Sequence, residues 1–593
     1  AAGAITLNTG SSNVITLNGN LTAVGGAGDT QGGGGNVTVS DAASLGAGIA
    51  IDTGATAGTI TFSSTLNGTQ TLALTAGTGN IDFDSTVGNT AALGAVTIAS
   101  AVNVTADNTF AAASLTQTAG TGTTTFSGNV TTTAAGTNLN LTTATIDIDA
   151  SVVTNGGVVD LNATTLVDLA TGQSITTTGD ADAEAGGAID IDVSGTGTVN
   201  LAGSLVTTGG AATTAGDGGA GGAVTIDTAN GVIAVGAITT TGGADDGDDN
   251  DGGAAGAITL NTGSSNVITL NGNLTAIGGA STGTQGAGGN VTVSDAASLG
   301  ADITIDTGAT AGTITFSSTL NGTQTLSLTA GVGSVDLQGD AGGTQALESL
   351  TVVSSGTTDV QNVTTRDGGI SITGTTINLD GATLRTDDEN GSGNAGNVSL
   401  TGAVLLNTNV SILTNVAATD GDITLIGSVN GNQTLTLDPG NGGDVIAGAS
   451  TFGATTPLAG LFVKQATDVA VGAVTTQGGG ADTIHIGRTA TITGTVTLNG
   501  NLSTDGTAGE GTAAGNIVID GSGTTNVTAN VTFDTNDATA AGGSAAGADG
   551  TITLLGGGNL RSNPAHDFGV TFDLGSNAFD ASAFTFLNLD HLA

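Results

Sequence analysis

Three short loops of the chain concentrate carboxylates at a density that suits a metal ion. Their acidic side chains are Asp180, Asp182, Glu184, Asp245, Asp246, Asp248, Asp249, Asp251, Asp387, Asp388 and Glu389. Ca²⁺ takes about six to eight oxygen ligands, and loops of this kind can supply them. None of the three has the spacing of an EF-hand loop or of the calcium-binding nonapeptide repeat. A solvated acidic loop is the alternative, and both interpretations stay open.

Aspartates also alternate along predicted strands. The pairs are Asp82 and Asp84, Asp147 and Asp149, and Asp190 and Asp192. Paired carboxylates serve as acid and base in glycosidases. Residues two apart on a strand share a face, and here the alternation turns that face toward solvent. We therefore expect outward polar residues that prevent sideways aggregation, rather than catalytic pairs.

The basic residues that could bind an acidic sugar are few. Lys464 and Arg488 lie on either side of His485, and the chain has no Tyr or Trp to stack on a sugar ring. It also lacks Cys and any Gly-Lys-Ser/Thr phosphate loop. The sequence predicts a protein that is not an enzyme, with His485 and Arg488 as exposed turn decorations.

These residues must be positioned by repeated structural units, because one sequence motif recurs along the chain. ITLNGNLTAVGG…GGNVTV at 15–39 recurs at 268–293 and, more loosely, at 496–519. Each copy has two short strands that alternate apolar and polar residues, a polar loop opened and closed by Gly, and a third strand. Four consecutive looser copies place Leu169, Leu201, Val235 and Leu270 at one position, at spacings of 32, 34 and 35.

A steady period with three strands per unit predicts an all-β solenoid. One unit cannot bury its apolar face alone, so the next coil must stack on it about 4.8 Å away. We expect a right-handed parallel β-helix with three short strands per coil and Gly/Asp-rich loops on one side. Asn-Gly pairs such as Asn18-Gly19, Asn271-Gly272 and Asn499-Gly500 would turn the corners with positive φ. A string of immunoglobulin-like sandwiches is the alternative. It would give hairpins and domains of roughly 90 residues, and the spacing of 32 to 35 residues argues against it.

A second module, built on the phrase NGxQTL, interrupts the first. It starts at Thr59, Thr313 and Ile423. We expect one continuous solenoid over 1–555, with Gly-loop coils at about 1–58, 116–312, 366–422 and 477–555, and NGxQTL modules at about 59–115, 313–365 and 423–476. Residues 1–76 and 254–330 are nearly identical, which indicates tandem duplication. The chain starts inside a repeat, so we expect that it has been cut from a longer one.

Composition and charge limit the classes of molecule that the chain can bind directly. The chain has 593 residues with 104 Gly, 13 Phe and no Met, and its 50 acidic and five basic residues give a formal charge of −45. This charge excludes nucleic acid and anionic membranes as direct partners and favours cations or a basic partner. No apolar run is long enough to insert in a membrane. Residues 556–593 carry five of the 13 Phe, which predicts a terminal cap or a docking surface.

Asparagine sequons are frequent, and surface glycosylation is one interpretation of them. They start at Asn20, Asn36, Asn103, Asn129, Asn273, Asn290, Asn362, Asn397, Asn501, Asn526 and Asn530. Chains rich in Asn and Thr also form such motifs by chance.

The phrases NGTQTLALTAGTGNIDF, NGNQTLTLDPG and PLAGLFVKQATDV resemble those of large repetitive bacterial surface proteins. That class includes filamentous-haemagglutinin-like and S-layer-family β-strand-repeat proteins, and the resemblance covers most of residues 1–550. It implies export to the cell surface, a β-helical shaft, and a role in adhesion, coating or filament formation. We therefore expect a secreted, self-associating structural protein, for which Ca²⁺ and other divalent cations are the candidate ligands. An adhesin stalk is the alternative.

Overall fold

The computed structural model describes most of the chain, and all of its secondary structure there is β. It omits residues 11–12, 28–31, 133–138, 180–182, 214–215, 248–249, 264–265, 387–392, 416–418, 505–512, 537–547, 563–567, 576, 578, 581–584 and 588–593. No helix in the described ranges is long and apolar enough to cross a membrane. The chain divides into two compact units, Ala1–Ser317 and Ser318–Ala593, which we call unit 1 and unit 2.

Unit 1 contains strands β1 to β32. In chain order they are Ile5–Leu7, Ile15–Leu17, Leu21–Thr22, Val37–Val39, Ala43–Leu45, Ile49–Asp52, Ile60–Phe62, Leu66–Asn67, Leu72–Thr75, Ile81–Phe83, Leu93–Ser100, Val104–Ala106, Phe110–Gln117, Thr123–Phe126, Val130–Thr132, Leu139–Ile148, Val152–Thr154, Val159–Leu169, Ser174–Thr176, Ile189–Val193, Thr198–Leu201, Ser204–Val206, Val224–Thr228, Ile233–Val235, Ile238–Thr239, Ile258–Asn261, Ile268–Leu270, Leu274–Thr275, Val291–Val293, Ala297–Leu299, Ile303–Asp306 and Ile314–Phe316.

These strands form three parallel ladders, each linking a strand to its counterpart one coil later. Column A runs from β1, β4 and β7 through β10, β12, β14, β16 and β18 to β21, β24 and β27. Column B runs from β3 and β6 through β9, β11, β13, β16 and β18 to β20, β23 and β26. Column C runs from β2 and β5 through β8, β13, β15 and β17 to β19, β22 and β25. Leu169, Leu201, Val235 and Leu270 lie in line in column A. The predicted parallel solenoid and its coil spacing are confirmed in this unit.

Alternation explains why these segments pair this way. Inward Val, Ile and Leu are buried, whereas the intervening Thr, Asn and Asp are half-buried or exposed. Burying each such side chain stabilises the coil by about 1.5–3 kcal/mol. The interior also holds phenylalanines, which the sequence reasoning did not place there. Phe62 and Phe83 stack at 5.3 Å between ring centroids, and Phe83 meets Phe110 edge to face at 5.5 Å.

Identical sequence occupies different columns. Residues 1–23 and 254–276 match at every position, yet β1 lies in column A and its copy β26 lies in column B. Likewise β2 lies in column C and its copy β27 in column A. The three columns offer similar ladders and interiors, so a strand's column depends on the strands before it. The Gly-rich loops, predicted on one side, consequently leave from two corners: 23–36 between columns B and A, and 207–223 between C and B.

Two local predictions need correction. Between β11 and β18 the coil no longer has three short strands, because neighbouring strands merge into long ones such as Val159–Leu169, with a register shift at the bend. Positive φ is also absent at Gly19, Gly272 and Gly500, whereas Gly68, Gly322 and Gly431 have it. Gly272 is needed for a different reason: a Cβ there would lie 2.4 Å from the Ala237 nitrogen.

Unit 2 contains strands β33 to β61. In chain order they are Leu320–Asn321, Thr325–Gly331, Val335–Leu337, Ser349–Ser354, Thr357–Val360, Val363–Thr364, Ile370–Leu379, Thr383–Arg385, Val398–Leu406, Val410–Leu413, Ile423–Ile426, Ser428–Asn430, Thr434–Asp438, Val445–Ala447, Thr451–Phe452, Gly460–Val463, Val469–Val471, Val474–Thr475, Asp482–Ile486, Thr495–Leu498, Leu502–Ser503, Asn516–Asp520, Thr524–Val527, Val531–Asp534, Ile552–Leu555, Asn559–Ser562, Val570–Asp573, Phe579–Asp580 and Thr585–Leu587.

Unit 2 repeats the parallel, in-register arrangement through its last strands. β45, β48, β51, β54 and β57 form one ladder, and β56 pairs with β59. Phe572 of β59 stacks on Phe533 of β56 at 5.1 Å between centroids. The described strands of the Phe-rich segment therefore continue the ladders. Whether that segment also caps or docks stays a prediction, as does continuity of one solenoid over 1–555.

Candidate functional site

A buried threonine closes the loops of both units. Its hydroxyl donates to the carbonyl of the glycine with which the chain re-enters the next strand; Thr53 reaches Gly58 at 2.7 Å and Thr240 reaches Gly256 at 2.6 Å. The same contact joins Thr154, Thr177, Thr207, Thr307, Thr365, Thr386, Thr414, Thr504 and Thr535 to Gly157, Gly187, Gly222, Gly312, Gly368, Gly396, Gly421, Gly515 and Gly550. Since it spans from 3 to 16 residues, the coil closes at one point whatever the loop length.

The long loops of unit 1 hydrogen-bond to one another through their backbones. The Gly209 amide donates to Thr241 of the next coil at 2.9 Å, and Gly210 donates to Glu184 of the previous coil at 2.8 Å. Gly219 donates back to Gly210 at 2.8 Å. Ala220 and Ala223, three residues apart, are exposed.

Glycine is required in these loops because their backbones approach one another too closely for a side chain. A Cβ on Gly243 would lie 2.0 Å from the Gly210 carbonyl oxygen, and one on Gly253 would lie 1.9 Å from that of Gly219. We call the backbone assembly of residues 207–223, 240–257 and 276–290, within their described parts, the glycine layer. The loops are thus packed structure in these parts.

The predicted metal ligands divide into two groups. Asp180, Asp182, Asp248, Asp249, Asp387, Asp388 and Glu389 lie outside the described residues. Glu184, Asp245, Asp246 and Asp251 lie within them, at the glycine layer or beside it. In the part of the chain that the structure describes, no three His, Cys, Asp or Glu side chains are arranged to hold a metal ion.

Two of these described carboxylates, Asp245 and Asp251, join one loop to the next. Asp245 Oδ2 accepts the amide and the hydroxyl of Thr282 at 3.0 and 2.9 Å. Asp251 Oδ1 accepts the Thr284 amide at 2.9 Å, while the Asp251 amide donates to Asp217 Oδ1 at 2.9 Å. These charge-assisted hydrogen bonds fix the loop register.

The strand aspartates face outward as predicted. Asp190 lies in register with Asp160, and Asp192 with Asp227. Burial, and then the neighbouring Asp192, Asp160 and Asp227 carboxylates, raise the pKa of Asp190; burial, then Asp227 and Asp160, raise that of Asp192. Asparagines relieve the repulsion within the same rows, since Asn140 donates to Asp160 at 2.6 Å and Asn261 to Asp227 at 2.8 Å. The pKa values of Asp82 and Asp147 are raised by the same causes.

Two basic residues of unit 2, Lys464 and His485, each contact an acidic residue. Lys464 Nζ pairs with Asp438 at 3.4 Å, and His485 Nδ1 meets Asp482 at 3.2 Å. His485 belongs to β51 and its side chain is 16% exposed, so its assignment as an exposed turn decoration is wrong. Burial lowers its pKa, although Asp482 acts in the opposite direction.

Arg488 follows β51 and is exposed, as predicted, but it is held in place. Its guanidinium carbon lies 3.9 Å above the Phe462 ring centroid. Phe462 faces outward beside His485 on the neighbouring strand. Sequence reasoning missed Phe462 because it stands in an apolar run, GLFV, whose outward position is visible only from the register.

The sequon asparagines have a structural role. Each of the eleven accepts a hydrogen bond on its side-chain oxygen from a group one coil later. Asn36, for example, accepts the Thr59 amide at 3.0 Å, and Asn290 accepts the Thr313 amide at 3.0 Å. In ten of them the donor is a backbone amide, so the motif extends the ladders past the strand ends; Asn526, within β55, accepts from the Arg561 side chain instead. Amide-to-amide bonds, as from Asn103 to Asn80 at 3.2 Å, also occur.

Comparison with known proteins assigns no family to the chain. No protein-family model, no curated protein and no solved structure matches the chain. The resemblance to bacterial surface proteins stays a prediction.

Proposed function

We propose that this protein is a non-catalytic structural component of a bacterial cell-surface layer, sheath or extracellular filament. The observation that carries the proposal is the way coils are added. Each stacks on its neighbour through three ladders, and a duplicated segment fits a different column without change of sequence. Architecture of this kind extends by repetition, and long loops enter it without disturbing the core.

Electron microscopy of the purified chain tests the proposal. Regular polymers support it. Isolated particles at every concentration and ionic strength contradict it, and a distinct binding tip would favour the adhesin stalk.

Calcium binding by the acidic loops stays a separate prediction. The loops concerned include residues beyond the described part, and two of the described carboxylates, Asp245 and Asp251, already bond to a neighbouring loop. Melting of the purified chain with EDTA and with added Ca²⁺ is the measurement. Equal melting temperatures would remove calcium from the account.

A further inference from the structure

We propose that Arg488 of unit 2, held on Phe462, binds a carboxylate of unit 1 on a second copy of this chain. The inference rests on the proposed function, because it supplies a contact by which copies associate.

Arg488 lies in a short turn that backbone hydrogen bonds hold in place. The amides of Gly487 and Arg488 both donate to the Val463 carbonyl at 2.9 Å, and the Thr489 amide donates to Lys464 at 2.9 Å. Gly487 has φ +86°, which a residue with a side chain adopts only with strain. The turn is thereby bonded back onto the preceding coil, directly over Phe462.

The Phe462 ring beneath Arg488 packs against the backbone at Gly460. Phe462 lies over Gly460, where a Cβ would come within 2.9 Å of the ring's Cζ atom. Stacking uses the flat face of the guanidinium and leaves its N–H groups at the edge. A planar fork fixed in this way loses little entropy when it binds a carboxylate bidentately.

The charged side chains of the protein indicate which group the Arg488 guanidinium binds. Lys464 and His485 already have acidic partners, Asp438 and Asp482, whereas no carboxylate among the described residues lies within ion-pair distance of Arg488. The other four Lys and Arg side chains, at Arg366, Arg385, Lys464 and Arg561, belong to half-buried residues. Unit 1 holds 25 of the 50 acidic residues and no Lys, Arg or His. Two copies therefore repel over most of their surfaces, and Arg488 is where a carboxylate of another copy is attracted.

The contact joins unlike surfaces, unit 2 of one copy and unit 1 of the next. Such heterologous contacts propagate into open chains unless the rotation closes a ring. Arginine and aromatic residues dominate the binding energy of many interfaces, so one position can matter in an otherwise weak association.

Sedimentation velocity of the full chain over a range of concentrations tests this inference. We expect Arg488→Gln to weaken self-association about tenfold, and Phe462→Leu to weaken it in the same direction. The matched control is Arg561→Gln, because Arg561 Nε is committed to Asn526 Oδ1 at 2.8 Å; it should associate as the parent does. Unchanged thermal melting of Arg488→Gln confirms that it folds.

The outcomes separate this inference from the proposed function. If the parent assembles and Arg488→Gln assembles equally well, the inference fails and the proposed function stands. If the parent stays monomeric throughout, the proposed function fails and the inference with it. Binding of an oligogalacturonate to the parent but not to Arg488→Gln, measured by calorimetry, would overturn the second copy as the occupant in favour of an acidic saccharide.

Discussion

At the scale of residues, the hydroxyl of threonine and the carboxamide of asparagine hydrogen-bond to backbone groups at loop ends and strand ends, which apolar side chains cannot do. Thr207 is fully buried, and its hydroxyl bonds Gly222 where the loop re-enters the coil. Asn36 and its equivalents carry the ladder past the strand ends. Neither role is readable from composition, because Thr and Asn also populate the outward face. The outward direction of Asp190 and Asp192, by contrast, follows directly from strand alternation.

Replacing Thr207 by Val keeps the volume and removes the hydroxyl. The Gly222 carbonyl then loses its buried donor, which should lower the free energy of unfolding by about 1–2 kcal/mol. Urea denaturation measures the effect. Thr225→Val, on the outward face of β23, is the control and should change stability much less. Equal effects at the two positions would show that the loop contact has no special role.

The aspartate rows make stability depend on pH. Because the folded pKa of Asp190 and Asp192 lies above the ordinary value of 3.8, the folded chain binds protons more readily than the unfolded chain between those values. Their stabilising protonation is complete below pH 3.8 and is lost as pH rises through the raised pKa. The Asp190→Asn, Asp192→Asn double variant should melt higher than the parent at pH 7 and converge with it in acid.

Thermal melts across this range provide the test. The control Thr225→Asn changes the residue in register with Asp190 without altering charge, so it should leave the pH slope intact. A double variant with the parent's slope would refute the coupling between the rows.

At the scale of elements, the period and the strands were predictable and the loops were not. Apolar alternation fixed the line of Leu169, Leu201, Val235 and Leu270, since an interior position leaves few choices. The glycine layer escaped prediction because its order comes from backbone contacts between coils. Its sequence signal is the recurrence of Gly-Gly pairs, as in Gly-Gly-Ala at 218–223, and such composition also suits disorder.

Substitution inside the glycine layer should therefore disturb it. In Gly243→Ala the added Cβ must displace the Gly210 carbonyl, 2.0 Å away, so amides of the neighbouring loops should exchange faster with solvent. Hydrogen exchange followed by mass spectrometry reports this. Gly33→Ala, which meets nothing within 4 Å, is the control. Unaltered exchange in Gly243→Ala would mean that the loops do not pack in solution.

At the scale of the whole molecule, the large excess of carboxylates over basic side chains dominates the electrostatics. Unit 1 cannot neutralise its carboxylates with any side chain of its own, and hydrogen bonds from Asn and Thr spread the charge without cancelling it. Salt screens repulsion between exposed charges, with a Debye length of about 10 Å at 0.1 M and about 3 Å at 1 M. The duplicated segment also fits more than one place in the fold, since identical sequence forms β1 in column A and β26 in column B.

Raising NaCl from about 0.1 to 1 M should accordingly raise the melting temperature of the chain, because the folded state holds its carboxylates closer together than the unfolded state does. Calorimetry measures the shift. Sucrose at matched osmolality is the control for solute exclusion. A melting temperature that falls with salt, or that sucrose raises equally, would contradict the role assigned to repulsion.

Parallel, in-register stacking of coils is the central claim, and cysteine cross-linking tests it most directly because the chain has no Cys. Thr225 and Thr259 lie side by side on successive coils, about 4.8 Å apart, within the range that a disulfide spans. Thr225→Cys with Thr259→Cys should oxidise to an intramolecular disulfide. Thr225→Cys with Thr292→Cys, two coils apart through the same column, should not. Equal cross-linking of both pairs, or cross-linking of the second pair alone, would contradict the ladder.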